Sequence, residues 1–169
     1  MTPGVVGQTQ GMTLPRLGDR GQGWVALQMV LLVVVVVVGV LTRGGWPTSA
    51  RLPLSLIGIV LIGAGGLGAV LAATGLGSAL TALPAPLRDE QLRTTGVYAL
   101  VRHPIYGSLI LLALGVALAT SPWTLLPAVA LAAVLDLKRR VEEDFLSSAY
   151  AGYADYRQAV PRALLPYVW

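Results

Sequence analysis

Two polar stretches of this chain contain most of the side chains that could do chemistry. The first, Leu92–Ser108, reads "LRTTGVYALVRHPIYGS" and includes His103, which is the only histidine. The second, Leu137–Tyr167, begins "LKRRVEED", where three cations are followed by three acids. Cations can hold an anionic group, and a histidine or carboxylate can accept a proton. Cysteine is absent and histidine is single, so we expect no thiol chemistry, no disulfide and no metal site.

The first stretch has the pattern of a helix start. Pro104 disfavours helix at His103 and suits the first helical position. The free amides of residues 105–107 would then point out of a helix N-terminus, which attracts anions such as a carboxylate. Tyr98 and Tyr106 surround this point. The same residues also suit a membrane-interface belt in which His103 only caps a helix, and the sequence leaves both interpretations open.

The second stretch has helical spacing. Lys138 and Arg139 lie four and three residues before Glu142, so the three side chains are predicted to share a helix face. Basic anchors paired with neighbouring acids would give the same pattern without any site. Further along, tyrosines recur at every third position from Tyr150 to Tyr156, as expected of an interfacial helix.

The stretch "LIGAGGLGAV", residues 61–70, contains a glycine motif that looks like a dinucleotide-binding turn but is better explained by helix packing. Gly63, Gly65 and Gly68 fit the G-x-G-x-x-G turn of dinucleotide-binding domains, with Asp89 near the place of a ribose-binding acid. Such a turn needs a preceding strand and a βαβ unit. Here the glycines lie within one uninterrupted apolar run of helix length. Small residues in such a helix favour close packing against a neighbouring helix.

Composition indicates a membrane protein. The chain is 55% hydrophobic and 12% charged, with a mean hydropathy of +0.71, whereas soluble domains carry about 25% charged residues. A helix needs about 20 apolar residues to cross a bilayer. Four apolar segments are predicted, the last two short and joined by the turn "TSP" at 120–122: Trp24–Leu41, Leu52–Ala73, Ile105–Ala119 and Trp123–Leu137.

These segments predict an all-α integral membrane protein with about four transmembrane helices, a C-terminal helical hairpin and an amphipathic tail. Residues 1–23 are expected to be a disordered N-terminal segment, residues 24–91 the first two helices with a linker, and residues 92–169 the region of the polar stretches. Four spans leave ten of the twelve cations and all eight acids on the side of the termini, opposite Arg43 and Arg51. The excess of positive charge predicts that this side, with both termini and any polar chemistry, is cytoplasmic. The net charge of +4 needs no nucleic-acid partner to explain it.

Several spaced motifs resemble the isoprenylcysteine carboxyl methyltransferase family and related membrane phospholipid methyltransferases. They are R-H-P-x-Y, E-E-x-x-L and Y-x-x-Y-x-x-x-V-P, in the family's order, and the resemblance covers Leu92–Pro166. The resemblance implies that residues 92–169 form a catalytic region that transfers a methyl group from S-adenosylmethionine. It further implies a cytoplasmic cofactor pocket formed by the hairpin and tail, and a lipid-like or prenylated substrate that comes from the bilayer.

The resemblance also implies site residues. The family's substrate-carboxylate arginine lies four residues before the first glutamate; that position is Lys138 here, with Arg139 beside it, and these two are the expected catalytic cations. A carboxylate nucleophile needs a cation and no general base, whereas an amine or phenol would need a base such as His103 or Glu143. The positions implied for the cofactor are Glu90, Gln91, Leu92, Arg93, Tyr98, Arg102, His103, Pro104, Ile105, Tyr106, Glu142 and Glu143.

The sequence allows other functions besides O-methylation of an isoprenoid or prenylcysteine carboxylate. Phospholipid N-methyltransferases and sterol-type reductases that use NADPH share a related hairpin and an H-P-x-Y element. The paired Glu142 and Glu143 favour a methyltransferase over a reductase. A non-catalytic membrane scaffold with an interfacial tail would bind no cofactor at all.

Overall fold

The computed structural model describes residue 15, residues 17–86 and residues 91–166. This part of the chain is helical and has no strand, which confirms the all-α prediction. Most of the segment expected to be disordered, residues 1–23, lies outside the described residues. The helices are α1 (Gln22–Leu41), α2 (Thr48–Leu76), α3 (Pro104–Thr120), α4 (Leu125–Ala149) and α5 (Tyr153–Ala159).

The first two helices are long and apolar enough to cross a membrane. Much of their outer surface consists of exposed aliphatic side chains such as Val33, Val40 and Val60, and lipid is the medium in which such a surface is stable. α3 has 17 residues, so at about 1.5 Å per residue it is shorter than the roughly 30 Å hydrocarbon core of a bilayer. The number of complete spans remains a prediction.

Glycines bring α2 and α3 into close contact. A Cβ atom placed on Gly58 would lie 2.6 Å from the Gly115 carbonyl oxygen, and one on Gly65 would lie 2.7 Å from the Ser108 carbonyl oxygen. Gly68 likewise faces Ser108, whereas Gly63 has no neighbour within 4 Å. Two of the three glycines of the motif therefore allow close helix packing, as predicted, and the third does not.

Helices α1 to α4 alternate in direction, so their ends form two groups. At one end, the amide of Gly44 donates to the Thr120 carbonyl and the Trp46 indole donates to the Ala117 carbonyl. The loop between α1 and α2 thus packs against the turn of the α3–α4 hairpin. The opposite end of the bundle contains the start of α3 and the polar half of α4.

The C-terminal part of the chain folds back over the start of α3. α4 continues twelve residues beyond the predicted apolar segment, because the charged residues after Leu137 favour helix as well. After α5, the chain is held by hydrogen bonds from the Arg102 and His103 amides to the carbonyls of Arg162 and Ala163. Tyr153 and Tyr156 are buried in this arrangement, so the expectation of an interfacial tyrosine stripe is wrong for these two residues.

Candidate functional site

A cavity of about 380 Å³ lies at the end of the bundle where α3 begins. Its volume is within the range of about 300–1,000 Å³ that is typical of small-molecule pockets. Eleven of the predicted site residues line it: Gln91, Leu92, Arg93, Tyr98, Arg102, His103, Pro104, Ile105, Tyr106, Lys138 and Glu142. Glu90 lies outside the described residues. The structure thus brings together residues from the linker before α3, from α3 and from α4.

The start of α3 is less open to an anion than the sequence suggested. Pro104 occupies the first helical turn, as expected. The amides of Tyr106 and Gly107, however, donate to the His103 carbonyl at 3.1 and 3.2 Å. The expected set of three free amides at residues 105–107 is therefore wrong, and Ile105 carries the N–H group that remains for a bound molecule.

His103 stands at the start of α3 but does not cap the helix with its side chain. Its Nε2 atom lies 3.2 Å from Glu143 Oε1, and its Nδ1 atom lies 3.8 Å from Glu142 Oε2. The imidazole therefore lies between the carboxylates of Glu142 and Glu143. Its ring stacks on that of Tyr106, with centroids 5.6 Å apart and planes within 5°, so the two rings form an aromatic wall.

Glu143 is held in a buried network behind the cavity. Arg102 donates to Glu143 Oε1 from Nε and Nη2, at 3.0 and 2.9 Å, and to the Val160 carbonyl from Nη1. Burial raises the pKa of Glu143, but hydrogen bonds and charge from His103 and Arg102 lower it more, to about 2. Glu143 is thus a carboxylate at neutral pH that links the start of α3 to the tail.

Glu142 points to the cavity side of α4, where one of its oxygens, Oε2, accepts a short hydrogen bond from the Tyr106 hydroxyl. Its other oxygen is left to accept from a bound molecule. Glu142 and Glu143 are neighbours in sequence but differ in surroundings, since only Glu142 lines the cavity.

Lys138 is fully buried at the base of the cavity, where its ammonium meets groups from three other parts of the chain. Its Nζ atom donates to Gln28 Oε1 at 2.7 Å and to the Ala82 carbonyl at 2.8 Å. It also lies 4.9 Å from the centre of the Tyr106 ring, within the range of a cation–π interaction. Burial lowers the pKa of Lys138 to about 8, with Glu142 opposing that shift, so the group remains mostly charged at pH 7.

Arg139 does not reach the cavity. Its guanidinium donates to Asp136 Oδ1 at 2.7 Å and lies 3.4 Å from Glu143 Oε1. It faces a second, polar cavity of about 250 Å³ on another side of α4. Lys138 and Glu142 share the predicted face, whereas Arg139 and Glu143 face away from it.

Sequence reasoning missed several residues that line the cavity. Gln28 of α1 is 110 positions from Lys138 in sequence and yet bonds to it. Its only sequence signal is that it is the single amide side chain in the charge-free run Trp24–Leu41. The segment Leu76–Pro86 forms a mainly apolar wall, and three tyrosines of the tail complete the lining: Tyr150, Tyr153 and Tyr156.

Tyr153 contributes a buried hydroxyl to the lining of the cavity. Tyr153 is 1% exposed, and its hydroxyl, which lies beside Arg102, has no hydrogen-bond acceptor among the described residues. Burial and the Glu143 carboxylate raise its pKa, with Arg102 partly opposing them, so it is a neutral donor at physiological pH. Leaving a buried hydroxyl unpaired costs about 1–3 kcal/mol, a loss that a bound molecule could recover.

The site offers donors, acceptors and aromatic surface. Within the described ranges, no group of three or more His, Cys, Asp and Glu residues could hold a metal ion. The aromatic wall, the free oxygen of Glu142 and the Tyr153 hydroxyl suit a molecule that has both a flat ring and hydroxyl groups.

Comparison with known proteins gives one similar curated protein. It is the cobalt-zinc-cadmium resistance protein CzcN of Cupriavidus metallidurans, which is 30% identical over 120 residues. The match covers 70% of this chain and 50% of that protein, so the chain spans about half the length of the relative.

A family model gives the broader assignment. The model described as phospholipid methyltransferase matches residues 54–152, which is more than half of the chain. The matched range includes most of α2 and all of α3 and α4, and therefore the glycine-packed helix pair together with Lys138 and Glu142 of the cavity. The chain belongs to the phospholipid methyltransferase family.

Proposed function

We propose that this protein is a membrane methyltransferase that uses S-adenosylmethionine to methylate the carboxylate of a lipid-like substrate. One observation carries the proposal: a cavity next to the membrane-spanning helices combines a buried cation, a free carboxylate oxygen and a mainly apolar wall. Family membership supports a methyltransferase, and the apolar wall of Leu76–Pro86 suits a hydrocarbon chain.

The residues of the cavity fit such a cofactor. Glu142 can accept from ribose hydroxyls or from the amino group, and the Ile105 amide can donate to the methionine carboxylate. The stacked rings of His103 and Tyr106 offer a flat surface to an adenine ring, and the Tyr153 hydroxyl is a further donor. When bound, the cofactor supplies a methyl group that joins the attacking oxygen as the carbon–sulfur bond breaks and its electron pair stays on sulfur.

In this proposal the chain positions the reactants, and no proton has to move. Lys138 holds the substrate carboxylate, while the cavity excludes water and aligns the two molecules, which can contribute a large part of the rate enhancement. Arg139, the other cation that the sequence offered, takes no part because it is paired on another face of α4.

Methylation of a lipid amine is the second candidate, and the name of the family favours it. An amine must lose its proton before it attacks, and His103, between two carboxylates, would be the candidate base. Against this, an ammonium group would enter a cavity that already holds the buried cation of Lys138, and a sulfonium adds a further positive charge. Repulsion among these charges favours an acid as the substrate.

Calorimetry with S-adenosylhomocysteine, the demethylated cofactor, tests the proposal on purified protein in nanodiscs. We expect binding, and no binding of NADPH, the cofactor that a reductase would take. Transfer of labelled methyl to lipid extracts, followed by mass spectrometry, then separates methyl esters from methylated amines. A protein that binds neither cofactor would be a scaffold, and the proposal would be wrong.

Two substitutions separate the cofactor role from the substrate role. Glu142→Gln should weaken S-adenosylhomocysteine binding by about tenfold, because hydrogen bonds to a charged group are worth roughly 1.5–3 kcal/mol. Lys138→Met should leave that affinity nearly unchanged and abolish transfer to an acid. If both variants only lose thermal stability, and the folded fraction binds and turns over normally, these residues are anchors and not site residues.

A further inference from the structure

Gln28 is an unusual residue for its position. It is buried in α1, a helix that is long enough to cross a membrane and has no other polar amide or charged side chain from Trp24 to Leu41. Polar side chains inside such helices are costly and tend to face functional cavities. Gln28 lines the cavity described above, although α1 lies outside the part of the chain that the family model matches.

The contact with Lys138 fixes the orientation of the amide. An ammonium group only donates hydrogen bonds, so the Gln28 atom 2.7 Å from Nζ must be the amide oxygen. The amide nitrogen, which only donates, is therefore the end that remains for a molecule in the cavity. Gln28 and Lys138 together offer a ligand donors and positive charge, but no acceptor.

We propose that Gln28, together with Lys138, recognises the reacting group of the substrate and selects substrates in which that group is a carboxylate. This inference rests on the function proposed above and deepens it. A carboxylate has two acceptor oxygens and a negative charge, so one oxygen can accept from the Gln28 amide while the other faces Lys138. A substrate ammonium group would be repelled by the charge of Lys138 and would meet only the N–H donors of Gln28 and Lys138. A neutral hydroxyl would leave the charge of Lys138 without a counter-charge.

Gln28→Glu is the sharpest test, because it keeps the size of the side chain and a bond to Lys138. It replaces the remaining donor by an acceptor and cancels the charge of the lysine. We expect the protein loaded with S-adenosylhomocysteine to bind a long-chain isoprenoid carboxylic acid at least about tenfold more weakly after this change. The amine with the same tail should bind better, while affinity for S-adenosylhomocysteine and melting temperature stay nearly the same.

Gln158→Glu is the matched control, because Gln158 is exposed on α5 and does not line the cavity. This change should alter none of these affinities. Gln28→Asn is a second variant that remains polar but is shorter by one methylene, and it should also weaken binding of the acid. Calorimetry of the acid and of the amine provides a readout that does not depend on turnover.

The outcomes separate this inference from the proposed function. If the unmodified protein does not bind S-adenosylhomocysteine, the proposed function fails. If it does, but Gln28→Glu binds the acid as the unmodified protein does, only the role of Gln28 is overturned. Preference of the unmodified protein for the amine over the acid would also overturn it.

Discussion

Tyr153 combines deep burial with a hydroxyl that lacks a hydrogen-bond acceptor among the described residues. Tyr153→Phe should therefore leave the melting temperature of the ligand-free protein unchanged or raise it, because an unsatisfied buried group is removed. Affinity for S-adenosylhomocysteine should fall several-fold if the hydroxyl meets the cofactor. Tyr156→Phe is the control: its hydroxyl donates to the Tyr98 carbonyl at 2.7 Å, so its loss should cost about 1 kcal/mol.

The melting temperature and the cofactor affinity of Tyr153→Phe together separate the possible roles of the hydroxyl. A lower melting temperature for Tyr153→Phe would mean that the hydroxyl already has a partner in the ligand-free protein. An unchanged melting temperature with unchanged affinity would mean that the hydroxyl contributes to neither folding nor binding.

The lowered pKa of Glu143 predicts how the melting temperature of the protein depends on pH in acid. Its pKa is lowered to about 2, from an ordinary value of 4.5. A lowered carboxyl pKa adds stability that is complete above the ordinary value and is lost as the pH falls toward the lowered one. The shift corresponds to roughly 3 kcal/mol. The melting temperature should accordingly fall between about pH 4.5 and pH 2.

Glu143→Gln should reduce that dependence. The variant should melt lower than the unmodified protein at pH 7, because Arg102 loses its carboxylate partner. The difference between the two proteins should shrink as the pH approaches 2, since Glu143 is then protonated in the unmodified protein as well. A difference that stays constant over this range would contradict the assigned pKa.

The contact between α2 and α3 allows a test at the scale of whole helices. In Gly65→Ala, the new methyl group would lie 2.7 Å from a backbone oxygen, so the helices must separate. Overpacking of this kind costs typically about 1–3 kcal/mol. Gly63→Ala is the matched control, because nothing lies within 4 Å of the added atom. Thermal unfolding in detergent should show a lower melting temperature for Gly65→Ala than for Gly63→Ala, and equal values would contradict the packing role.

The helices themselves were largely predictable from the sequence, and their ends were not. Each apolar run corresponds to a helix, because an uninterrupted run of that length leaves the backbone few other conformations in a bilayer. The apolar segment predicted for α4 ended at Leu137 and helical spacing carried the prediction to Glu142, whereas the helix ends at Ala149. The tyrosine spacing from Tyr150 to Tyr156 fits an interfacial helix and a buried one equally well, and only the fold of the tail decides between them.

Within the site, contacts close in sequence were easier to foresee than contacts between distant helices. The shared face of Lys138 and Glu142 follows from helical spacing alone. The bond between Gln28 and Lys138 depends on how α1 packs against α4, which no local pattern contains. Arg139 shows the limit of arguments from helical spacing. It lies three positions before Glu142, but its guanidinium pairs with Asp136 and Glu143 instead.

For the molecule as a whole, polar groups are concentrated at one end of the bundle. The cavity and the buried Arg102–Glu143 pair lie where α3 begins, whereas the loop after α1 lies at the other end with the α3–α4 turn. This arrangement agrees with the charge count of ten cations against two, which predicts a cytoplasmic cavity and an external loop. The orientation in the membrane can therefore be tested with two sites at opposite ends.

Ser49 and Ser148 are suitable sites, because both are exposed serines in a chain without cysteine. Ser49 lies at the start of α2, next to the predicted external loop, and Ser148 lies near the end of α4, on the predicted cytoplasmic side. In intact cells, a membrane-impermeant maleimide should label Ser49→Cys and leave Ser148→Cys unlabelled until the cells are lysed. The reverse pattern would place the cavity outside the cell, where S-adenosylmethionine made in the cytoplasm could not reach it, and would contradict both the orientation and the proposed reaction.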